Sequence, residues 1–211
     1  MEESWLTIQR GGIIMIPLIL CSIISIGIFI EKLITLRKKK IIIPEIVNVI
    51  ENVKSSTDIE LALSICDKNK GAFSNIVQIG LKNSHLPKEE MKEIFVDQGR
   101  QEVRTLERGL GILETIAAIA PLLGLLGTVI GMIKVFNVIS IQGVGQAEAL
   151  SGGISEALIT TVVGLSVGIP TLVFYNYFTD KAENLILDIE KFSNDLVKRL
   201  HSFNNSEKIT S

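Results

Sequence analysis

Three long runs of apolar residues, nearly free of charge, constrain this chain more than any other feature of it. Gly11 to Ile30 is the first, about 20 residues, which at ~1.5 Å rise per residue covers the ~30 Å hydrocarbon core of a bilayer. Leu110 to Ile139 is the second, interrupted by Glu114 near its start and Lys134 near its end. Ile154 to Phe178 is the third, with Glu156 near its start. A soluble domain does not usually gather its apolar residues in this way, so the membrane class precedes any fold argument. The net charge is only −2, and no basic stripe with interleaved aromatics is present, which argues against a nucleic-acid partner.

The first run is not read as a cleaved signal peptide. Glu2 and Glu3 precede it instead of a basic segment, the run is too long, and no small-residue cleavage pattern lies before the basic cluster. Arg37-Lys38-Lys39-Lys40 follows it directly. Basic residues close to a span hold that end in the cytoplasm, so the N-terminus is predicted to face outward. The other loops test this independently. Arg100, Arg104 and Arg108 precede the second run, whereas the connector from Ser140 to Gly153 carries no Lys or Arg, only Glu148. The tail again carries Lys181, Lys191, Lys198 and Arg199. Three alternating crossings with a cytoplasmic C-terminus satisfy every loop.

Between the first two spans the chain is polar but patterned. Thr57 and Glu60 have the spacing of a capping box opening a short helix through Leu61, Leu63 and Ile65. Gly71 and Pro87 punctuate the chain beyond that helix. An amphipathic helix with Met91, Ile94, Phe95, Val103 and Leu106 is expected to run from Pro87 toward the second span, with Gly109 and Gly111 not ending it. In the tail, Ala182, Leu185, Ile189, Phe192, Leu196 and Leu200 recur at helical spacing, so the third span is expected to continue as a helix with one apolar stripe. That stripe could pack on the same chain or on another subunit. Asn204 to Ser211 reads as a frayed end.

The fold class expected is thus an all-α integral membrane protein. Its second and third spans extend into the cytoplasm as long helices, with a small helical cytoplasmic domain. The divisions are a short periplasmic N-terminus over 1–10, transmembrane helix 1 over 11–36 and a cytoplasmic helical domain over 37–108. Transmembrane helix 2 follows over 109–139, a short periplasmic loop over 140–152, transmembrane helix 3 over 153–178 and a cytoplasmic helical tail over 179–211. Cys21 sits in an apolar run and Cys66 in a charged stretch, which predicts two unpaired thiols. His85 and His201 have no second ligand at a metal-binding spacing, so no metal or other cofactor is expected.

The three spans differ in kind. The first is rich in Ile and Leu and suits a lipid-facing helix. The second holds Gly124, Gly127, Thr128 and Gly131, and the third Thr160, Thr161, Gly164, Ser166 and Gly168. Small residues three and four apart let helix backbones approach closely, which assigns the glycines to helix packing. For the threonines, packing and pore lining both remain open. Pro121 and Pro170 each remove a backbone hydrogen bond within a span and are expected to kink it. Glu156 lies inside the outward end of the third span with no basic residue one turn away on its own helix. An ionised carboxylate there needs protein or water beside it, so it is either a protonatable site or an interfacial residue reaching headgroup water. Glu114 reads as structural at the cytoplasmic end, and Lys134 as a side chain that snorkels outward. A membrane enzyme using Glu156 is disfavoured, because no second catalytic group lies at a plausible position.

These residues carry a resemblance. Ala120-Pro121-Leu122-Leu123-Gly124-Leu125-Leu126-Gly127-Thr128-Val129-Ile130-Gly131-Met132 is similar to the second-span signature of ExbB and TolQ. The stretch from Gly153-Ile154-Ser155-Glu156-Ala157-Leu158 through Thr160-Thr161 and Ile169-Pro170 to Tyr175-Asn176 is similar to their third-span signature. The chain therefore resembles the MotA/TolQ/ExbB proton channel family, and ExbB and TolQ more than MotA, which has an extra span. The resemblance implies a homopentamer in the inner membrane whose second and third spans line a lumen. It implies protons as the coupling ion, with Thr128, Glu156, Thr160 and Thr161 along the pathway. A single-span partner of the ExbD/TolR type would occupy that lumen, and a TonB- or TolA-like protein spanning the periplasm would receive the work. A TolQ-type role and a non-conducting scaffold are the alternatives.

Overall fold

In the computed structural model of the protein, residues 11–51, 56–143 and 147–210 are described, and every regular element among them is a helix. In chain order these are α1 (Met15–Thr35), α2 (Lys38–Ile41), α3 (Pro44–Glu51), α4 (Ser56–Lys68), α5 (Ala72–Lys82), α6 (Lys88–Glu107), α7 (Leu110–Gln142) and α8 (Ala147–Thr210). Three of them, α1, α7 and α8, are long and apolar enough to cross a membrane. The protein is accordingly an all-α, multi-pass membrane protein. Pro44 opens α3 at its first position, where the missing N–H would have had no helical partner. Gly71 and Pro87 stand immediately before α5 and α6. The helix expected at Thr57 begins at Ser56; the side chains of Thr57 and of Glu148 lie outside the described residues.

One expectation is corrected. The helix that leads toward the second span does not continue into it, because α6 ends at Glu107 and Gly109 takes a left-handed conformation at φ +87° before α7 starts. A glycine reaches that region without the steric penalty of a side chain and commonly terminates a helix there. The third span does continue: α8 is one helix of 64 residues, from Ala147 to Thr210. Helix α7 also runs past Ile139 to Gln142, and α8 begins at Ala147, so helical structure extends beyond the apolar runs at both sides of the connector.

The chain forms two compact units, Met1–Glu31 with Gly109–Tyr177, and Lys32–Arg108 with Phe178–Ser211. In the first, Met15 and Leu18 of α1 pack with Ile116 and Ala120 of α7, flanked by Val163 and Val167 of α8. Higher residues of α1 meet higher residues of α8. Ser25 is hydrogen-bonded to Thr171 at 2.8 Å, and the rings of Phe29 and Phe174 stack with centroids 4.2 Å apart. Thr171 commits its proton to the carbonyl of Val167 at 2.7 Å, so Ser25 is the donor. The opposite face of α1, including Ile16, Leu20, Ile23 and Ile30, is exposed.

In the second unit the tail stripe packs on its own chain. Ala182, Leu185, Ile189, Leu196 and Leu200 are buried, and Phe192 meets Phe73 of α5 edge-on at 5.5 Å. Met91, Phe95 and Leu106 give α6 its buried face, and the Phe95 ring lies over Gly80. Glu102 is buried in that face and accepts from Asn75 at 2.9 Å and Gln98 at 2.8 Å. Lys32 is also fully buried, donating to the carbonyl of Leu106 at 2.8 Å. That carbonyl belongs to the last turn of α6, where acceptors lack helical donors and a cation complements the helix dipole.

Cys66 is buried on α4, and burial, with Asp67 adding to it, pushes its thiol up to about 11. The folded state therefore holds this proton more tightly than the unfolded chain. The linked stability is fully present below the ordinary thiol value and is lost as pH rises through about 11. Equilibrium unfolding between pH 8 and 11 is expected to show a steeper alkaline loss for the native chain than for Cys66→Ala. Identical slopes would contradict it.

Candidate functional site in the paired spans

Helices in lipid gain little by hiding apolar surface from one another, so close backbone packing and interhelical hydrogen bonds must hold α7 to α8. The glycines supply that packing. A Cβ built on Gly124 would stand 3.0 Å from the carbonyl oxygen of Thr160 and 3.3 Å from the Cα of Gly164. One on Gly164 would stand 2.7 Å from the Ala120 oxygen and 2.9 Å from the Cα of Gly124. A Cβ on Gly131 would stand 2.8 Å from both the Ala157 Cβ and the Gly153 carbonyl oxygen, and Gly127 faces Thr160. A Cβ on Gly168 would come within 2.7 Å of the Pro121 ring. As the α7 number rises the α8 number falls, so the two helices are antiparallel with contacts every three or four residues.

This register places each polar residue. Thr160 is buried against Gly127 and donates within its own helix, to the Ala157 carbonyl at 2.9 Å. Thr161, half-buried, donates across the interface to the Gly124 carbonyl at 3.2 Å. Thr128 is half-buried and donates to its own helix at the Leu125 carbonyl, 2.6 Å away. Pro121 and Pro170 both lie inside unbroken helices. Gly168 brings α8 close to the Ala117 carbonyl, the acceptor that Pro121 leaves without its usual helical donor.

Glu156 has a partner that its own helix does not reveal. Lys134 of α7 donates to both of its carboxylate oxygens, at 2.5 and 2.8 Å. The glutamate side chain is 17% exposed and the lysine side chain 53%. On another side the carboxylate meets Gly12, in the turn before α1, whose φ is +65°. A Cβ there would come within 2.9 Å of the Glu156 carboxyl carbon. Three elements thus converge on one carboxylate, while Thr128, Thr160 and Thr161 lie one or more turns deeper. Lys134, read from sequence as able to snorkel outward, also forms a specific ion pair across the two helices. Neither Gly12 nor Lys134 is a site candidate from sequence alone, and the pairing of Lys134 with Glu156 is visible only in the structure. The signal for Lys134 was its place near the end of one antiparallel span, opposite Glu156 at the start of the next.

Comparison with known proteins gives the same region. The family model described as the MotA/TolQ/ExbB proton channel family matches residues 68–191. A putative biopolymer transport protein ExbB homolog from Methanothermobacter thermautotrophicus is 32% identical over 188 residues, covering 86% of this chain and 65% of its own length. A putative biopolymer transport protein ExbB-like 1 from Synechocystis is 34% identical over 172 residues, covering 79% of this chain and 66% of its own length. The biopolymer transport protein ExbB of Xanthomonas campestris pv. campestris is 36% identical over 107 residues, covering 48% of this chain and 42% of its own. The match therefore spans just under two thirds of the first two relatives and less than half of the third.

The packing makes a contrast that can be measured. At Gly164 an added methyl meets backbone, which cannot move aside, so Gly164→Ala is expected to lose about 1–3 kcal/mol in detergent unfolding. Gly27→Ala on α1, where nothing lies within 4 Å, is expected to be neutral or to gain about 0.5–1 kcal/mol. Equal effects at the two positions would contradict the close contact.

Proposed function

The chain belongs to the MotA/TolQ/ExbB proton channel family, and from that premise we propose that it is an ExbB-type subunit of an energy-transducing motor in the inner membrane. In this reading it assembles as a homopentamer around the membrane helix of an ExbD-like single-span protein. Proton flow down the electrochemical gradient drives a TonB-like protein that spans the periplasm, and so powers transport through the outer membrane. The N-terminus faces the periplasm, and the second unit with the tail lies in the cytoplasm. No cofactor is needed beyond the coupling proton.

The observation that carries the reading is the placement of Glu156, with Thr128 and Thr161, on the two helices held together by glycines. An ionisable group within a membrane helix is expensive to maintain and is a functional-site candidate by default. The hydroxyl of Thr161 lies between the two helices, where it can support a hydrated path. Thr160 is turned into the helix contact and serves that contact. The names of the relatives favour ExbB over TolQ.

The experiment is proton flux in vesicles that hold the chain with the single-span partner of its own genome. Glu156→Ala and Thr161→Val are each expected to lower potential-driven flux by about tenfold or more, with membrane insertion and abundance unchanged. Absence of flux from the native pair would favour the scaffold alternative, and undiminished flux in both variants would remove these residues from the pathway.

A further inference from the structure

We propose that Lys134 is a tethered counter-cation for Glu156, a latch that closes the carboxylate to other cations and has to release it before Glu156 takes part in ion passage. The proposal rests on the reading of Glu156 as part of an ion path. Its geometry is independent of that reading. Both carboxylate oxygens accept from the same ammonium, at 2.5 and 2.8 Å. The backbone of Gly12 walls off another side of the group, and the α7–α8 contact at Ala157 and Gly131 closes the helix beneath it. With the glutamate side chain 17% exposed, the ammonium stands where an arriving cation would have to bind.

The two partners are not equivalent. Glu156 is enclosed by three elements and has little room to leave. Lys134 is 53% exposed on a flexible four-carbon stem, so its ammonium has room to move that the carboxylate lacks. The mobile half of the pair is therefore the lysine. A proton or a metal cation reaching Glu156 competes with the ammonium, and protonation of the carboxylate removes the charge that holds it. The carboxylate, mostly enclosed, is costly to leave ionised without a partner, so the closed state persists until a competing cation or a movement of α7 against α8 opens it.

Chemical labelling in lipid vesicles tests the latch without a partner or a gradient. The lipid-soluble reagent dicyclohexylcarbodiimide attacks carboxyl groups, and peptide mass spectrometry reads Glu156 against the exposed Glu114 as internal reference. Labelling of Glu156 is expected to be slow in the native chain and about tenfold faster in Lys134→Met. It should be near native in Lys134→Arg, whose guanidinium can engage both oxygens. The reciprocal measurement tracks acylation of the Lys134 amine by an N-hydroxysuccinimide ester, expected to quicken in Glu156→Gln. It decides the matter alone if Lys134→Met fails to insert. Unchanged Glu156 labelling in Lys134→Met, with unchanged Lys134 acylation in Glu156→Gln, would overturn the latch. Labelling as expected in a chain that conducts no protons would overturn the channel reading and leave the latch. Proton conduction with unchanged labelling would do the reverse.

Discussion

Two helices surrounded by lipid have no solvent to drive them together, so whatever holds α7 to α8 must be contact itself. Here the contact is backbone against backbone, at Gly124 with Gly164 and at Gly131 with the carbonyl of Gly153. Everything of functional interest in the first unit depends on that register. It brings Thr161 within reach of the Gly124 carbonyl, and it brings Lys134 to Glu156 across 22 residues of chain. A slip of one residue would rotate these groups away from each other. The glycines are thus the reason that a carboxylate and an ammonium can face each other in an apolar environment.

Helix α1 plays a different part. Its exposed face is nearly pure Ile and Leu, as the residues suggest for a helix against lipid. Its other face is not featureless. Ser25 donates to Thr171, and Phe29 lies on Phe174, so one hydrogen bond and one ring contact fix how α1 is turned against α8. The turn before it places Gly12 beside Glu156. The wall helix therefore contributes to the enclosure of the charged site.

Much of this was legible in the residues. Span number follows from length and hydropathy, and the glycine spacing of three and four already implies a close helix contact. The tail stripe from Ala182 to Leu200 has a period that packing simply realises. Two things were not legible, for definite physical reasons. Gly109 has helix-compatible neighbours on both sides, so local pattern did not mark it as a break, and the Lys32 ammonium that meets the Leu106 carbonyl at the end of α6 comes from 74 residues away in the chain. Lys134 and Glu156 lie on different helices, and no periodicity within one helix links them. Pairing them requires the antiparallel register, which the sequence only implies through the ends at which the two charges stand.

The register of α7 against α8 holds the site together, and a disulfide reads it directly. With Cys21 and Cys66 replaced by alanine, Gly131→Cys and Ala157→Cys would put two thiols on facing turns, the helices giving way from the 2.8 Å of an ideal Cβ at residue 131 to the ~3.5–4.5 Å between Cβ atoms that a disulfide spans. Mild oxidation in membranes should link them within one chain, read by intact mass as the loss of two hydrogens, about 2 Da. Gly127→Cys with Ala157→Cys, one turn out of step, should link poorly. Oxidation of the Gly127→Cys and Ala157→Cys pair as fast as that of the facing pair, or faster, would contradict the helix contact on which the site is built.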